Sequence, residues 1–103
     1  MRFMVQAVVP VAEANAAIKA GTFVKNIQSV LETIKPEAVY FTEIGGSRTM
    51  ILIVDIPDAS HIPSIGEPLY LALNASVTLS PVMTPEDLMK AGPAFESAVQ
   101  KYG

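Results

Sequence analysis

The pair Gly45-Gly46 constrains this chain more than any other feature of its sequence. It stands between two strand-like segments, residues 37–44 and 48–56. Two adjacent glycines are typical of a tight two-residue hairpin, because both turn residues must adopt positive φ. With this turn as the loop, Glu43 faces Arg48 and Thr42 faces Thr49. The further pairs are Tyr40 with Ile51, Phe41 with Met50, and Val39 with Leu52. These cross-strand pairs match an acid with a base, threonine with threonine, and apolar with apolar side chains. We therefore expect this hairpin and this register.

The second strand of the hairpin is apolar without alternation from Met50 to Val54, which is typical of a strand buried on both faces. Antiparallel sheets usually leave one face in water, and the remaining elements suffice to cover only one face. Half of the residues are apolar and only 17% are charged, which is a large apolar share for a small domain. We therefore predict that the open face of the sheet pairs with a second copy of the chain.

The rest of the chain predicts one α+β domain over residues 1–103, in the order β-α-β-β-α-β with an extra C-terminal helix. The predicted strands are residues 2–9, 37–44, 48–56 and 75–82, and the main helices begin near residues 22, 58 and 84. Residues 14–20 have high helix propensity but are interrupted at Gly21. Pro68 should kink or split the second main helix, and Gly92-Pro93 should break the last one.

The register also sorts the side chains into two faces. We expect one face to meet the helices: Val39, Phe41, Met50, Leu52 and Val54. The opposite face is more mixed, as a subunit interface would be. It is expected to carry Gln6, Tyr40, Thr42, Thr49, Ile51, Ile53, Thr78 and Ser80.

This element order, with its doubly buried hairpin and extra helix, resembles the dimeric α+β barrel superfamily, whose sheets are ferredoxin-like. Several segments also resemble a small bacterial family without assigned activity, along nearly the whole chain: Lys35-Pro36-Glu37-Ala38, Tyr40-Phe41-Thr42, Ile62-Pro63, Glu67-Pro68, Asn74-Ala75 and Pro81-Val82-Met83-Thr84. The resemblance implies a homodimer joined sheet to sheet, with a pocket between sheet and helices. The superfamily includes monooxygenases, isomerases and haem proteins, so the resemblance implies no particular reaction.

Three polar residues lie on one flank of the helix predicted over residues 58–73. Glu67, Tyr70 and Asn74 are spaced i, i+3 and i+7, and Gly66 permits a close backbone approach beside them. The functional interpretation is the rim of a pocket for a small ligand with a donor group, with Glu67 as the proton acceptor. The alternative interpretation is a solvated flank with Tyr70 half-buried.

Three further residues are weaker candidates. His61, the only histidine, is either a general base or haem ligand in the pocket, or a solvated or locally capping residue, and the second interpretation is favoured. Arg48 is either an anion clamp or half of a surface ion pair with Glu43, and the ion pair is favoured. Tyr40 either lines a cavity or packs with its hydroxyl at a wet edge.

Several classes of function are disfavoured. A net charge of −3 without a basic cluster argues against a nucleic-acid groove. The absence of cysteine removes thiolate chemistry, and one histidine does not make a zinc site. No apolar run is long enough to cross a bilayer. A short leader over residues 2–16 is a weaker interpretation than a strand, because Gln6 and Pro10 interrupt it, and we expect a cytoplasmic protein.

The sequence identifies no reaction, no cofactor and no catalytic residue. Two classes of function stay open at this point. One is a small-molecule binder, or a cofactor-free enzyme resembling a monooxygenase or isomerase. The other is a homodimeric module that acts through protein contacts.

Overall fold

A computed structural model describes residues 1–103 as an α+β fold built on one four-stranded antiparallel sheet. The first half contains the elements β1 (Arg2–Val8), α1 (Val11–Ala20), α2 (Phe23–Ile34), β2 (Ala38–Ile44) and β3 (Ser47–Asp55). A single 3-10 turn, Ala59–His61, then leads into the second half. This half contains α3 (Ile62–Leu73), β4 (Ser76–Pro81), α4 (Pro85–Lys90) and α5 (Gly92–Tyr102).

The connection from β1 to β2 holds two helices rather than the one that was predicted. Pro10 stops β1 but also precedes α1 directly, with φ −57°, a value that the proline ring fixes and that a helix start accepts. Gly21, with φ 74°, ends α1 in the left-handed region. The break at Gly21 therefore separates two complete helices, and the alanine-rich segment before it is a helix despite its weak periodicity.

The sheet has the strand order β2-β3-β1-β4, and all neighbouring strands are antiparallel. The hairpin register is confirmed: Glu43 lies opposite Arg48, and Thr42 opposite Thr49. Gly45 and Gly46 have φ values of 59° and 80°, as the predicted turn requires. The hairpin strand β2 and the last strand β4 are the two edges of the sheet.

The helices cover one face of the sheet, which we call the covered face. Its central side chains, Val5, Leu52 and Val54, are buried. Three helices contribute to the same core through Ala14, Val30, Ile65, Leu69 and Leu73. The predicted placement of Met50, Leu52 and Val54 against the helices is therefore confirmed.

The opposite face, here the open face, carries Gln6, Tyr40, Ile51, Ile53, Thr78 and Ser80 on paired positions. These side chains are half-buried or exposed in the single chain. Thr49, on the same face, is buried, and its hydroxyl donates to the carbonyl of Ser47 at 3.0 Å. The open face thus mixes aliphatic and polar groups, as the register predicts.

Pro68 lies inside α3 without splitting it, since the helix runs from Ile62 to Leu73. Ile65, Leu69 and Leu73 form the buried stripe, whereas Ile62 is exposed. Pro63 sits in the first turn, where no helical N–H bond is lost. Of the predicted outcomes for Pro68, a split helix is wrong.

The last 22 residues, 82–103, form what we call the C-terminal arm. The predicted break at Gly92-Pro93 divides it into α4 and α5. Thr84 and Asp87 close a capping box at the start of α4: the backbone N–H of Asp87 donates to the Thr84 hydroxyl, and the backbone N–H of Thr84 donates to the Asp87 carboxylate. The backbone N–H of Thr84, and then the Thr84 side chain, lower the pKa of the Asp87 carboxyl. Neither arm helix has a buried residue.

No helix in the structure combines the length and the apolar composition that crossing a bilayer would require.

The turn geometry predicts that an alanine is less well tolerated at Gly46 than at Gly92. Gly46→Ala should lower the free energy of unfolding by about 1–2 kcal/mol, because an L residue is strained in the left-handed region. Gly92→Ala is the matched control, since Gly92 does not have positive φ and a Cβ there meets no atom within 4 Å. Urea unfolding of both variants measures the difference. Equal stability of the two variants would contradict the two-residue turn.

Candidate functional site

The largest pocket lies on the covered face, between α2 and the end of the β2-β3 hairpin, and we call it the hairpin pocket. Its volume is about 270 Å³. Six apolar side chains line most of it: Val9, Phe23, Ile27, Phe41, Met50 and Leu73. Three polar residues complete the lining: Thr42, Arg48 and Thr49. This volume is close to the lower end of the range for small-molecule sites, which are mostly apolar with a few polar groups.

Phe41 explains why the hairpin pocket is open. It shares the covered face with its strand partner Met50, which is 3% exposed, yet Phe41 itself is 61% exposed. The expectation that Phe41 packs under the helices is therefore corrected. β2 is an edge strand, and its side chains from Tyr40 to Ile44 are exposed, so the helices leave this corner of the sheet uncovered.

Arg48 is the one charged residue that lines the hairpin pocket. It lies opposite Glu43 in the register, but its Nη1 donates to Asn15 Oδ1 in α1, at 2.9 Å. The expected ion pair with Glu43 is not formed, since the ion pairs of the structure join other groups. The hydrogen bond to Asn15 holds the guanidinium between the hairpin and α1 while leaving several of its N–H donors free.

A second, more polar pocket adjoins the first, between α1, α2 and the C-terminal end of α3, and we call it the helix pocket. Its volume is about 190 Å³, and it shares Val9, Phe23 and Leu73 with the hairpin pocket. Its polar side chains are Glu13, Asn26 and Asn74. Three elements distant in sequence thus bring one carboxylate and two amides to the side of an apolar cavity.

Asn74 occupies its place because it ends α3. Its φ is 52° and its backbone N–H closes the last turn by donating to the carbonyl of Tyr70. Asparagine is among the few residues that accept this left-handed conformation readily. The cap therefore turns the chain away from the helix axis while the side chain lines the helix pocket.

The predicted trio on α3 is not brought together in one pocket. Asn74 lines the helix pocket, whereas neither Glu67 nor Tyr70 lines either of these two pockets. Glu67 is exposed and Tyr70 is 43% exposed. The ring of Tyr70 lies over the buried Gly66, 3.2 Å from the position of an added Cβ. The close approach that Gly66 permits is therefore to Tyr70, and a ligand role for Glu67 and Tyr70 stays a prediction.

His61 lies in the 3-10 turn before α3, away from both pockets. Its Nδ1 is 3.3 Å from Asp58 Oδ1. The same carboxylate oxygen accepts from the backbone N–H of Ser60 at 2.9 Å, and from the Ser60 hydroxyl. The Ser60 hydroxyl and then His61 lower the pKa of Asp58. Asp58 is the capping residue of this turn, whereas the His61 side chain makes no capping hydrogen bond at the start of α3.

Tyr40 is 64% exposed on the open face, and it lines neither pocket. Its position is that of a wet strand tyrosine in the single chain. No group of three or more histidine and carboxylate side chains is arranged to hold a metal ion.

Two polar residues of the site, Glu13 and Asn26, were missed by sequence reasoning. Glu13 stands in the first turn of α1, a helix that was not predicted as complete. Asn26 interrupts the apolar pattern of α2 between Phe23 and Ile27, both of which line the hairpin pocket. That interruption on a buried stripe was the available signal, because a polar residue there needs a partner or a cavity.

No protein-family model matches this chain, and no curated protein sequence is significantly similar to it.

The hydrogen bonds of Asp58 predict a measurable shift. Ser60→Ala should raise the pKa of Asp58 towards the ordinary carboxyl value, because the largest cause of its lowering is removed. Since the folded pKa is lowered, Asp58 stabilises the fold above its unfolded pKa, and this contribution is lost as the pH falls through the folded pKa. Carboxyl carbon NMR during a pH titration measures the shift.

Ser64→Ala is the control, because the Ser64 hydroxyl donates to the carbonyl of His61 and not to Asp58. An identical Asp58 titration in wild type and Ser60→Ala would show that the serine does not hold this carboxylate.

Proposed function

We propose that this protein is a homodimer, joined through the open faces of two sheets, that binds a small and largely apolar molecule carrying one hydroxyl or amine group. The observation that carries the proposal is the hairpin pocket, an apolar cavity that shares wall residues with the more polar helix pocket. The dimer and the ligand are argued in turn from the two faces of the sheet.

The dimer is supported by the composition of the open face. Ile51 and Ile53 are half-buried in the single chain and stand beside Gln6 and Tyr40 across the register. A patch of aliphatic and aromatic groups with interspersed polar groups suits a subunit interface. The antiparallel order β2-β3-β1-β4 also suits the ferredoxin-like sheet of a dimeric α+β barrel, in which two such faces meet about a two-fold axis.

The ligand is argued from the lining of the two pockets. The apolar walls of the hairpin pocket favour a flat or aliphatic body, whose transfer from water is favourable by about 25 cal/mol per Å². The helix pocket offers the carboxylate of Glu13 and the amide oxygens of Asn26 and Asn74 as acceptors. A donor group therefore completes the ligand, whereas an anionic group at that end would meet Glu13.

Binding is better supported than catalysis. Proton transfer needs an acid or base within hydrogen-bond reach of the reacting group. Arg48 is the ionisable residue of the hairpin pocket, and a guanidinium has N–H donors but no acceptor. Glu13, in the adjoining helix pocket, is the residue on which a proton-transfer reaction would depend.

A charge on the open face tests the dimer. Tyr40→Asp should give a monomer at micromolar concentration, because the carboxylate would be buried in the interface without a partner. Tyr40 is 64% exposed in the single chain, so the substitution leaves the fold of one chain intact. Sedimentation velocity measures the association state, and Ile51→Asp should act in the same way.

Leu71→Asp is the matched control, since Leu71 is exposed on α3 and not on the sheet. It should sediment as the wild type does. A wild type that is monomeric at micromolar concentration would refute the dimer.

The ligand class is tested with 2-naphthol, which carries a flat apolar body and one hydroxyl group. It should bind more tightly than naphthalene, which lacks the donor, and than 2-naphthoate, which is anionic. Phe41→Asp should weaken 2-naphthol binding by roughly tenfold or more, the equivalent of about 1.4 kcal/mol, because it places a charge at the pocket wall. Titrations that follow naphthol fluorescence measure the affinities.

Val24→Asp is the control for Phe41→Asp. Val24 is on α2 and is 64% exposed, against 61% for Phe41, but it lines neither pocket. Equal loss of affinity in both variants, or tighter binding of 2-naphthoate than of 2-naphthol, would contradict the proposed site.

A further inference from the structure

The C-terminal arm is held away from the rest of its own chain. The Cα radius of gyration is 17.2 Å, whereas a compact domain of this length has about 13 Å. The longest principal extent is 59 Å and the shortest is 20 Å. At its root, the backbone N–H of Val82 donates to the carbonyl of Arg2 at 3.0 Å. Beyond that root, α4 and α5 contribute no residue to the hydrophobic core.

The arm nevertheless has an apolar side. Phe95, Val99 and Tyr102 follow each other at i, i+4 and i+7 on α5, which places them on one face of the helix. They are 58%, 68% and 79% exposed. Helices of this length are marginal in water unless an apolar face is packed against another surface. The stripe of these three residues therefore needs a surface that its own chain does not supply.

The sheet has an uncovered apolar surface, the hairpin pocket, at the corner opposite to the arm. The arm leaves from Pro81 on edge strand β4, at the strand ends where Phe3 and Val54 lie. The hairpin pocket lies against edge strand β2, at the other strand ends, where Phe41 pairs with Met50. Three strand spacings, about 14 Å, separate the two edges. Arm root and open pocket are thus diagonal corners, and the arm extends away from the sheet.

A two-fold axis removes this separation. When two sheets meet through their open faces with crossed strands, one diagonal corner of the first sheet lies near the opposite corner of the second. The arm root of each copy then stands beside edge strand β2 of its partner, and the arm can pass around that edge to the covered face, where the hairpin pocket lies. A symmetric exchange satisfies both apolar surfaces in both chains, as an isologous interface does.

We propose that the C-terminal arm of one copy lies across the hairpin pocket of a second copy, where Phe95, Val99 and Tyr102 supply its missing wall. This inference rests on the proposed homodimer and deepens it, because the ligand pocket is then incomplete in a single chain. The exchanged arm encloses the ligand and excludes water from the apolar side. The second copy is the occupant because the stripe and the exposed Phe41 are unmatched surfaces of one and the same sequence.

The absence of cysteine allows a clean crosslinking test on full-length chains. One chain carries Arg48→Cys, at a pocket position on the covered face, and a differently tagged chain carries Val99→Cys on the stripe. Mixed dimers are treated with a short bismaleimide, and mass spectrometry identifies the products. We expect a covalent dimer that joins the two differently tagged chains. Ser97→Cys, on the opposite side of α5, replaces Val99→Cys in the control mixture and should give several-fold less of this product.

The double variant Arg48→Cys/Val99→Cys, mixed with an excess of wild type, tests the alternative that the arm folds back onto its own chain. A crosslink within that single chain would overturn the exchange. Sedimentation of the same samples separates the two proposals. A dimer without the crosslink between chains overturns the arm exchange alone, whereas a monomer overturns both the exchange and the homodimer.

Discussion

Side chains alternate between the two faces of a strand, so a turn of fixed length decides which residues of a hairpin share a face. In this protein the decision is made by Gly45 and Gly46, whose positive φ values allow a two-residue turn. A loop longer by one residue would turn Met50 and Leu52 to the open face and would turn Ile51 to the covered face, so that core and surface residues would change places. The covered face, the open face and the position of Phe41 in the hairpin pocket all depend on this turn.

The sheet that results has one face covered by three helices and one face that is not. On the covered face the helices leave one corner exposed, beside edge strand β2, and the hairpin pocket occupies that corner. The covering helices also create the polar neighbour of the pocket, since Glu13, Asn26 and Asn74 come from α1, α2 and the end of α3. The hairpin pocket and the open face are thus two consequences of the same incomplete covering of a small sheet.

Sequence reasoning was accurate where the signal was local and strict. The pair Gly45-Gly46 and the alternation of side chains along the strands predicted the hairpin and its register. They also predicted that Met50, Leu52 and Val54 are buried. It failed where the signal was weak or distributed. The alanine-rich α1 has little periodicity, so it was not recognised as a complete helix. Glu13 and Asn26 are 13 residues apart and belong to different helices, and only the packing of α1 on α2 shows that they share a cavity.

The pairing of β1 has a consequence for how the chain assembles. β1 precedes the other three strands of the sheet in the chain, yet its partners are β3 and β4, and Phe3 lies opposite both Val54 and Pro81. Contacts this distant in sequence slow folding, because a long loop must close before they form. The hairpin is the one strand pair that can form locally. A nascent chain therefore carries β1 without either of its partner strands until β3 has left the ribosome, and during that interval this strand is exposed to aggregation.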